Sequence, residues 1–179
     1  MTSPSDRCLR RLAELGIEAT THDHPAVFTV AESADIKAAL PGAHSKNLFL
    51  KDKKGRLFLL SACHSTPVDL KRLHEVIGAN GRVSFGSAEL LGEVLGVEPG
   101  SVTPFGVMND EAGRVTVVLD AAMMEWDLLN FHPLVNTKTT TVGRDDLLRF
   151  LRASGHEPIV TTIPAPPERN CVTDPTSPS

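Results

Sequence analysis

The segment from residue 46 to residue 62 constrains the fold most, because it predicts a β-hairpin. Two apolar runs, Lys46 to Lys51 and Arg56 to Ala62, are joined by Asp52-Lys53-Lys54-Gly55, in which Gly55 can adopt a positive φ angle. Lys46 stands where the chain enters a half-buried strand. A lysine in that position is unfavourable unless it has a partner or a function.

The remaining periodicities predict a single domain of mixed α/β (α+β) class. We expect a compact, mixed and mostly antiparallel central sheet flanked by helices, since hairpins and helices alternate along the chain. The domain is expected to span residues 1–163, and the Pro/Thr/Ser-rich tail 164–179 to be disordered. Helices are predicted at residues 4–15, 31–40, 68–77, 87–95 and 144–154; strands are predicted at residues 17–24, 28–30, 46–51, 56–62, 82–85, 105–108, 115–119, 139–142 and 159–163, with a further strand piece at Phe131.

The composition limits the classes of function. The chain has 179 residues, 41% of them hydrophobic, which suits one domain with a substantial core. Aromatic residues make up 4%, with no Tyr and one Trp, which argues against a module that stacks nucleic-acid bases on exposed rings. The net charge of −4 leaves only a local basic patch as a site for a polyanion. Its members are Lys51, Lys53, Lys54, Arg56, Lys71 and Arg72, which a solvated hairpin tip and helix face also explain.

Cysteine and histidine spacing gives no metal or disulfide pattern. Cys8, Cys63 and Cys171 are far apart, which indicates a reducing compartment, and no signal or membrane-spanning segment is present. We therefore expect a cytoplasmic protein that does not bind membranes. His22 and His24 share one strand face, but no carboxylates stand at ligand spacing, so no metal is predicted. No glycine-rich phosphate loop or Gly-x-Ser-x-Gly motif is found, so no nucleotide cofactor is predicted either.

Three separated stretches carry residue types that can act together. They are Lys46, the loop Gly100 to Gly106, and His132 in the segment 130–133. A cation, a loop of backbone N–H groups and a histidine are the usual parts of a site that stabilises a developing oxyanion. Each feature alone has a simpler explanation as a surface lysine, a plain turn or a structural histidine.

The order and spacing of several motifs resemble the YbaK / prolyl-tRNA-synthetase editing-domain superfamily, and most closely its freestanding branch, called ProX or PrdX. The resemblance runs from about Arg7 to Ile163. The matching pieces are Thr21-His22-Asp23-His24-Pro25-Ala26-Val27-Phe28-Thr29, Ser45-Lys46-Asn47-Leu48-Phe49-Leu50, Ser84-Phe85-Gly86-Ser87, the Gly-x-x-x-Pro loop Gly100 to Pro104 with Phe105-Gly106, and Asn130-Phe131-His132-Pro133.

This resemblance implies a hydrolase that removes alanine from mischarged alanyl-tRNA(Pro) without a metal or organic cofactor. The implied partner is the alanine-bearing acceptor end of tRNA(Pro), with prolyl-tRNA synthetase or an elongation factor as a further partner. The implied catalytic residues are Lys46, Gly100, Ser101 and His132. The implied substrate-binding residues are Thr29, Asn47, Val102, Thr103, Pro104, Phe105 and Gly106. Val27, Phe28, Leu48 and Phe105 are candidates to line a pocket that admits alanine and excludes proline.

Three alternatives stay open on the sequence. The hydrolase could act on another mischarged tRNA, such as cysteinyl- or seryl-tRNA. The fold could instead be a non-catalytic module that binds tRNA or DNA, although the intact lysine, loop and histidine and the negative net charge weigh against this. It could also be an interaction domain that docks on prolyl-tRNA synthetase.

Overall fold

The computed structural model describes residues 2–26 and 38–167. Four helices lie in these ranges: α1 (Pro4–Glu14), α2 (His74–Ile77), α3 (Ala88–Leu95) and α4 (Arg144–Ala153). Three 3-10 helices are also present: η1 (Pro99–Ser101), η2 (Pro104–Asn109) and η3 (Met123–Glu125). The strands are β1 (Thr20–Asp23), β2 (Ala43–Lys51), β3 (Leu57–Cys63), β4 (Ser84–Phe85), β5 (Val115–Asp120), β6 (Leu128–Phe131), β7 (Lys138–Gly143) and β8 (Ile159–Thr161).

The strands form one mixed sheet flanked by helices, as predicted. The order is β1-β7-β6-β2-β3-β5-β8, and β4 also pairs with β2. Within the described ranges, four pairings are antiparallel (β1–β7, β2–β3, β2–β4 and β6–β7) and three are parallel (β2–β6, β3–β5 and β5–β8). None of the helices in these ranges combines the length and the hydropathy that a membrane crossing requires.

The hairpin that the sequence predicts is the centre of this sheet. β2 and β3 pair in register from Ser45↔Cys63 to Lys51↔Leu57. β3 is buried along its whole length, and its alternate residues enter two separate cores. Leu57 and Leu59 pack on one face with α1, α3 and α4, whereas Phe58 and Leu60 pack on the other with α2. The sheet is therefore covered on both faces.

The helix boundaries follow the capping residues. The Ser3 side chain accepts a hydrogen bond from Asp6 N and Pro4 occupies the first turn of α1, as the sequence predicts. The Ser87 side chain caps α3 in the same way by accepting from Leu90 N at 3.1 Å. These local signals needed no tertiary information.

Two predicted elements differ in the structure. The strand predicted at Phe105 to Met108 is wrong, because these residues lie in the 3-10 helix η2. Pro104 opens this helix and the Thr103 side chain caps it by accepting from Phe105 N, so local capping overrides the β-prone composition. The helix predicted from Val68 to Ile77 is confined to α2, with turns before it.

Two further predicted elements fall mainly outside the described residues. They are the strand at residues 28–30 and the helix from Ala31 to Leu40. Only Ala38 and Ala39, at the end of the latter, are described as helical.

Candidate functional site

Lys46 lies beside an opening in the sheet. One edge of β2 pairs continuously with β3, and the other edge is shared by two strands. On that second edge β6 pairs with Ala43 and His44, and β4 pairs with Leu50 and Lys51. Between them, no strand in the described part of the chain pairs with the edge around Lys46. Around Lys46, backbone groups on this edge of β2 therefore have no strand partner among the described residues and can bond to a bound molecule.

The parallel pairing of β2 and β6 holds the segments that lead to Lys46 and His132 side by side as far as His44 and Asn130. His44 pairs with Asn130, and Lys46 and His132 each lie two residues further along in the same direction. Asn130 locks this register, because its buried side-chain amide donates to the carbonyls of Pro41 (2.7 Å) and Ala43 (3.1 Å). The Ser45 hydroxyl adds a third link by donating to Asn130 O at 2.8 Å.

The tautomer of His132 follows from its partner. Nδ1 of His132 lies 2.9 Å from the Lys138 carbonyl, which can only accept, so Nδ1 carries the proton. In the neutral ring Nε2 then holds the lone pair. Burial lowers the pKa of His132, with a smaller contribution from nearby His24, although the bond to Lys138 O opposes the change. The ring is therefore held as a neutral base with Nε2 as its acceptor.

The Gly100 loop packs against the segment that follows His132. Gly100 is exposed, and a Cβ atom added there would lie 3.2 Å from Nδ2 of Asn136. Phe105, which follows the loop, contacts Phe131 edge-on with ring centroids 5.6 Å apart. Since Phe131 directly precedes His132, the loop is tied to both sides of the histidine. The structure thus connects the loop with the segment of His132, and the β2–β6 pairing connects that segment with the strand that carries Lys46.

Backbone bonds within the loop decide which amides are available. The Ser101 N–H donates to Glu98 O at 2.8 Å, so this predicted oxyanion donor is already engaged. Gly106 N donates to Thr103 O at 3.1 Å, and Pro104 has no N–H. Gly100, which is exposed, and Val102, which is half-buried, therefore remain the candidate donors of the predicted set.

Several predicted substrate-binding residues are buried and pack inside the protein. Phe105 is 0% exposed and also contacts Phe150 edge-on. Its contribution to a pocket stays a prediction. Such a contribution would be indirect, because the buried ring anchors the loop. A Cβ atom on Gly106 would lie 3.1 Å from Cβ of Leu95, so glycine allows η2 to approach α3 closely. Thr103 is fully buried and Val102 is half-buried. Thr29 lies outside the described residues.

Asn47 is held in a polar chain on the sheet face opposite to that of Lys46. Its amide nitrogen donates to Ser45 Oγ at 3.2 Å, and the Ser61 hydroxyl donates to its Oδ1 at 2.5 Å. This chain connects three neighbouring strands through Ser45 and Asn130 O. Its predicted role in substrate binding stays a prediction, and in this structure the side chain orders the strand that carries Lys46.

Three residues of the site were not singled out for it from the sequence. Lys138 supplies the carbonyl that orients His132, and Asn136 contacts Gly100. Thr139 binds His24. The run Thr139 to Thr141, buried throughout, was the available signal, because buried hydroxyls require partners.

No group of three or more His, Cys, Asp or Glu side chains in the described ranges is arranged to hold a metal ion.

A surface cavity of about 520 Å³ lies near the start of β6 and the end of β7, where Leu128, Thr141 and Gly143 line it. It includes none of the predicted site residues, so we do not assign it to them. The Lys46 ammonium makes no ion pair with a described residue.

The fold and the site define a single-domain protein with a lysine, an oriented neutral histidine and a Gly-x-x-x-Pro loop around an open sheet edge. The chain belongs to the aminoacyl-tRNA editing domain family, whose model matches residues 24–150.

Named relatives share most of their length with this chain. Prolyl-tRNA synthetase associated domain-containing protein 1 of Bos taurus is 38% identical over 155 residues, covering 84% of this chain and 90% of the relative. The prolyl-tRNA editing protein ProX of Acetoanaerobium sticklandii is 36% identical over 149 residues, covering 83% and 90%.

A solved structure described as "a putative trans-editing enzyme for prolyl tRNA synthetase" superposes with a TM-score of 0.70 at 20% identity. It covers 93% of this chain and 100% of its own. At this identity the likeness concerns the fold alone, and it agrees with the mixed sheet flanked by helices.

Proposed function

We propose that this protein is a trans-editing hydrolase that removes alanine from mischarged alanyl-tRNA(Pro). The editing domain would span residues 1–163. The observation that carries the proposal is the state of His132: its Nδ1 is committed to the Lys138 carbonyl, and its Nε2 lone pair is left for a proton. Lys46 follows the last β2–β6 pair by two residues, as His132 does. The names of the relatives supply the tRNA(Pro) context.

The reaction requires little activation, because an aminoacyl ester is already reactive. Positioning and stabilisation of the oxyanion then provide most of the acceleration. In the proposed step, the oxygen of a water molecule attacks the ester carbon while Nε2 of His132 accepts the water proton. The carbonyl oxygen becomes an oxyanion, to which the accessible amides of Gly100 and Val102 donate.

Collapse of the tetrahedral intermediate breaks the bond to the 3′-oxygen of the terminal adenosine. That oxygen receives the proton from His132, and free alanine leaves. Lys46 binds a phosphate or ribose oxygen of the terminal nucleotide and thereby holds the ester against the loop. Its location in an opening of the sheet, without a carboxylate partner among the described residues, supports this role.

Selection of alanine over proline would depend on size. A pocket that fits a methyl side chain rejects the proline ring by steric overlap, which discriminates more strongly than the loss of a contact can. Leu48, which is half-buried, is a described candidate for its walls. A cytoplasmic location and an association with prolyl-tRNA synthetase belong to the same proposal, because the mischarged tRNA is made by that enzyme.

A panel of charged tRNAs tests the proposal. Alanyl-, prolyl-, cysteinyl- and seryl-tRNA are incubated with the protein at sub-stoichiometric concentration, and loss of the labelled amino acid is followed. We expect multiple turnovers on alanyl-tRNA(Pro) and none on prolyl-tRNA(Pro). Turnover confined to the cysteinyl or seryl ester would reassign the substrate. Binding of tRNA without turnover would leave a non-catalytic module.

A further inference from the structure

His24 lies close to His132 but has no part in the step above. It is 9% exposed, and its ring centroid lies 6.3 Å from that of His132. Nδ1 of His24 is 2.9 Å from Pro25 O and therefore donates to it. Nε2 of the same ring is 2.8 Å from Thr139 Oγ1, whose hydroxyl donates to it when the ring is neutral. Both nitrogens are thus engaged, Nε2 by a buried hydroxyl, so the ring has a fixed orientation.

The segment that carries His24 holds the segment that carries the acceptor of His132. Thr139 directly follows Lys138, whose carbonyl receives Nδ1–H of His132. His24 N donates to Thr137 O at 2.9 Å, so His24 bonds to the residues on both sides of Lys138. The Lys138 ammonium also pairs with the Asp23 carboxylate. The Lys138 peptide is therefore fixed from β1, and the orientation of the His132 ring depends on it.

We infer that His24 is a positioning residue for His132, acting through Thr139 and the Lys138 carbonyl. This inference rests on the proposed function, since it assigns His24 to the same reaction. Loss of the bond to Thr139 would let the Lys138 carbonyl shift, and His132 would then spend less time with Nε2 directed at the water. A misplacement of about 1 Å in such a group can cost about a hundredfold in rate, so a partial loss of about tenfold is expected.

The His24 ring has a second effect through its charge. A proton on His24 disfavours a proton on His132, and this repulsion contributes to the lowered pKa of His132. The other charged or titratable groups near the pair come from three strands: His22 and Asp23 of β1, Lys138 of β7, and Lys46 of β2. Removal of the His24 ring alone should raise the pKa of His132 toward its ordinary value.

Three variants separate the two effects. His24→Gln removes the charge and the ring, whereas Thr139→Val removes only the hydroxyl at nearly constant shape. His22→Gln is the matched control, because His22 is an exposed histidine on the same strand with its ring 6.4 Å from that of His24. The pKa of His132 is measured by NMR titration of ring-labelled histidine, assigned with His132→Asn. The kcat and KM for alanyl-tRNA(Pro) are measured against pH in parallel.

For His24→Gln we expect kcat to fall about tenfold with KM unchanged, and the acidic limb of the profile to move to higher pH. For Thr139→Val we expect a similar loss of kcat with the limb in place, and for His22→Gln neither change. The inference is overturned if both His24→Gln and Thr139→Val retain the wild-type kcat. It is also overturned if Thr139→Val is as active as wild type while His24→Gln is unfolded by circular dichroism.

The NMR titration needs no substrate, so it separates this inference from the proposed function. If wild-type protein deacylates no tRNA, the proposed function fails, and with it the positioning role of His24 in the reaction. A raised His132 pKa in His24→Gln would then still establish the physical coupling between the two rings.

Discussion

Gly100 and Asn136 approach so closely that a Cβ atom on Gly100 would lie 3.2 Å from the side-chain amide of Asn136. This contact joins the Gly-x-x-x-Pro loop to the segment after His132. We predict that Gly100→Ala displaces the loop and lowers kcat for alanyl-tRNA(Pro) by roughly tenfold to a hundredfold. Gly100→Ala combined with Asn136→Ala should recover part of the activity, because the truncated neighbour makes room.

Gly92→Ala is the matched control for Gly100→Ala. Gly92 lies in α3, where an added Cβ meets nothing within 4 Å. The substitution should stabilise the helix by about 0.5–1 kcal/mol and leave kcat unchanged. Equal activities of Gly100→Ala and Gly92→Ala would contradict the role given to the loop.

Lys46→Ala should lower deacylation by roughly 10²–10³-fold, as expected when a charge-stabilising donor is removed from a site of this kind. Lys51→Ala supplies the control, because Lys51 is the exposed last residue of the same strand and its loss changes the net charge equally. Both variants should unfold at the wild-type temperature in thermal denaturation. A wild-type rate for Lys46→Ala would remove this residue from the mechanism.

The pH dependence of the reaction should follow the neutral form of His132. The neutral ring is active and the protonated ring is not, so kcat falls as the pH decreases through the pKa of His132. Burial lowers that pKa, so the loss should occur below the pH at which an exposed histidine titrates. His132→Asn should abolish this limb and reduce kcat by roughly 10²–10⁴-fold. A profile that is unchanged in His132→Asn would assign the base elsewhere.

His156 and Asp110 form a buried pair far from any proposed chemistry. Nε2 of His156 donates to Oδ2 of Asp110 at 2.8 Å, and both side chains are 2% exposed. Asp110 also accepts from Arg114 N and Val115 N, which fixes the start of β5. His156→Ala should therefore lower the free energy of unfolding by roughly 3–5 kcal/mol, measured by chemical denaturation. His64→Ala, at an exposed position, should change it little, and comparable losses would refute the role of the pair.

Asp52 should make the hairpin sensitive to acid. Burial opposes its charge, but hydrogen bonds from the N–H groups of Asn80, Arg56 and Lys54 prevail and lower its pKa from 3.8 to about 2. A lowered pKa in the folded state stabilises the protein above pH 3.8, and this contribution is lost as the pH falls toward about 2. The difference in unfolding free energy between wild type and Asp52→Asn should shrink over that range. A difference independent of pH would contradict this assignment.

Local signals in the sequence determined much of the fold. Ser3, Ser87 and Gly55 mark a helix start, a second helix start and a hairpin turn, because capping and turn formation depend on a few adjacent residues. The apolar run from Arg56 to Ala62 likewise predicts a strand, and the structure places this strand in the middle of the sheet. The same local reasoning failed for Phe105 to Met108, whose apolar residues are typical of a strand but form a capped 3-10 helix.

The sequence by itself determined which residue types could form a site: Lys46, the Gly-x-x-x-Pro loop and His132. Only the tertiary structure decided how they are held. The parallel pairing of β2 with β6 brings the segments of Lys46 and His132 together, and the Lys138 carbonyl fixes the imidazole tautomer. These relations join residues far apart in the chain. Strand register and the choice of a backbone acceptor cannot be predicted from the type of any one residue.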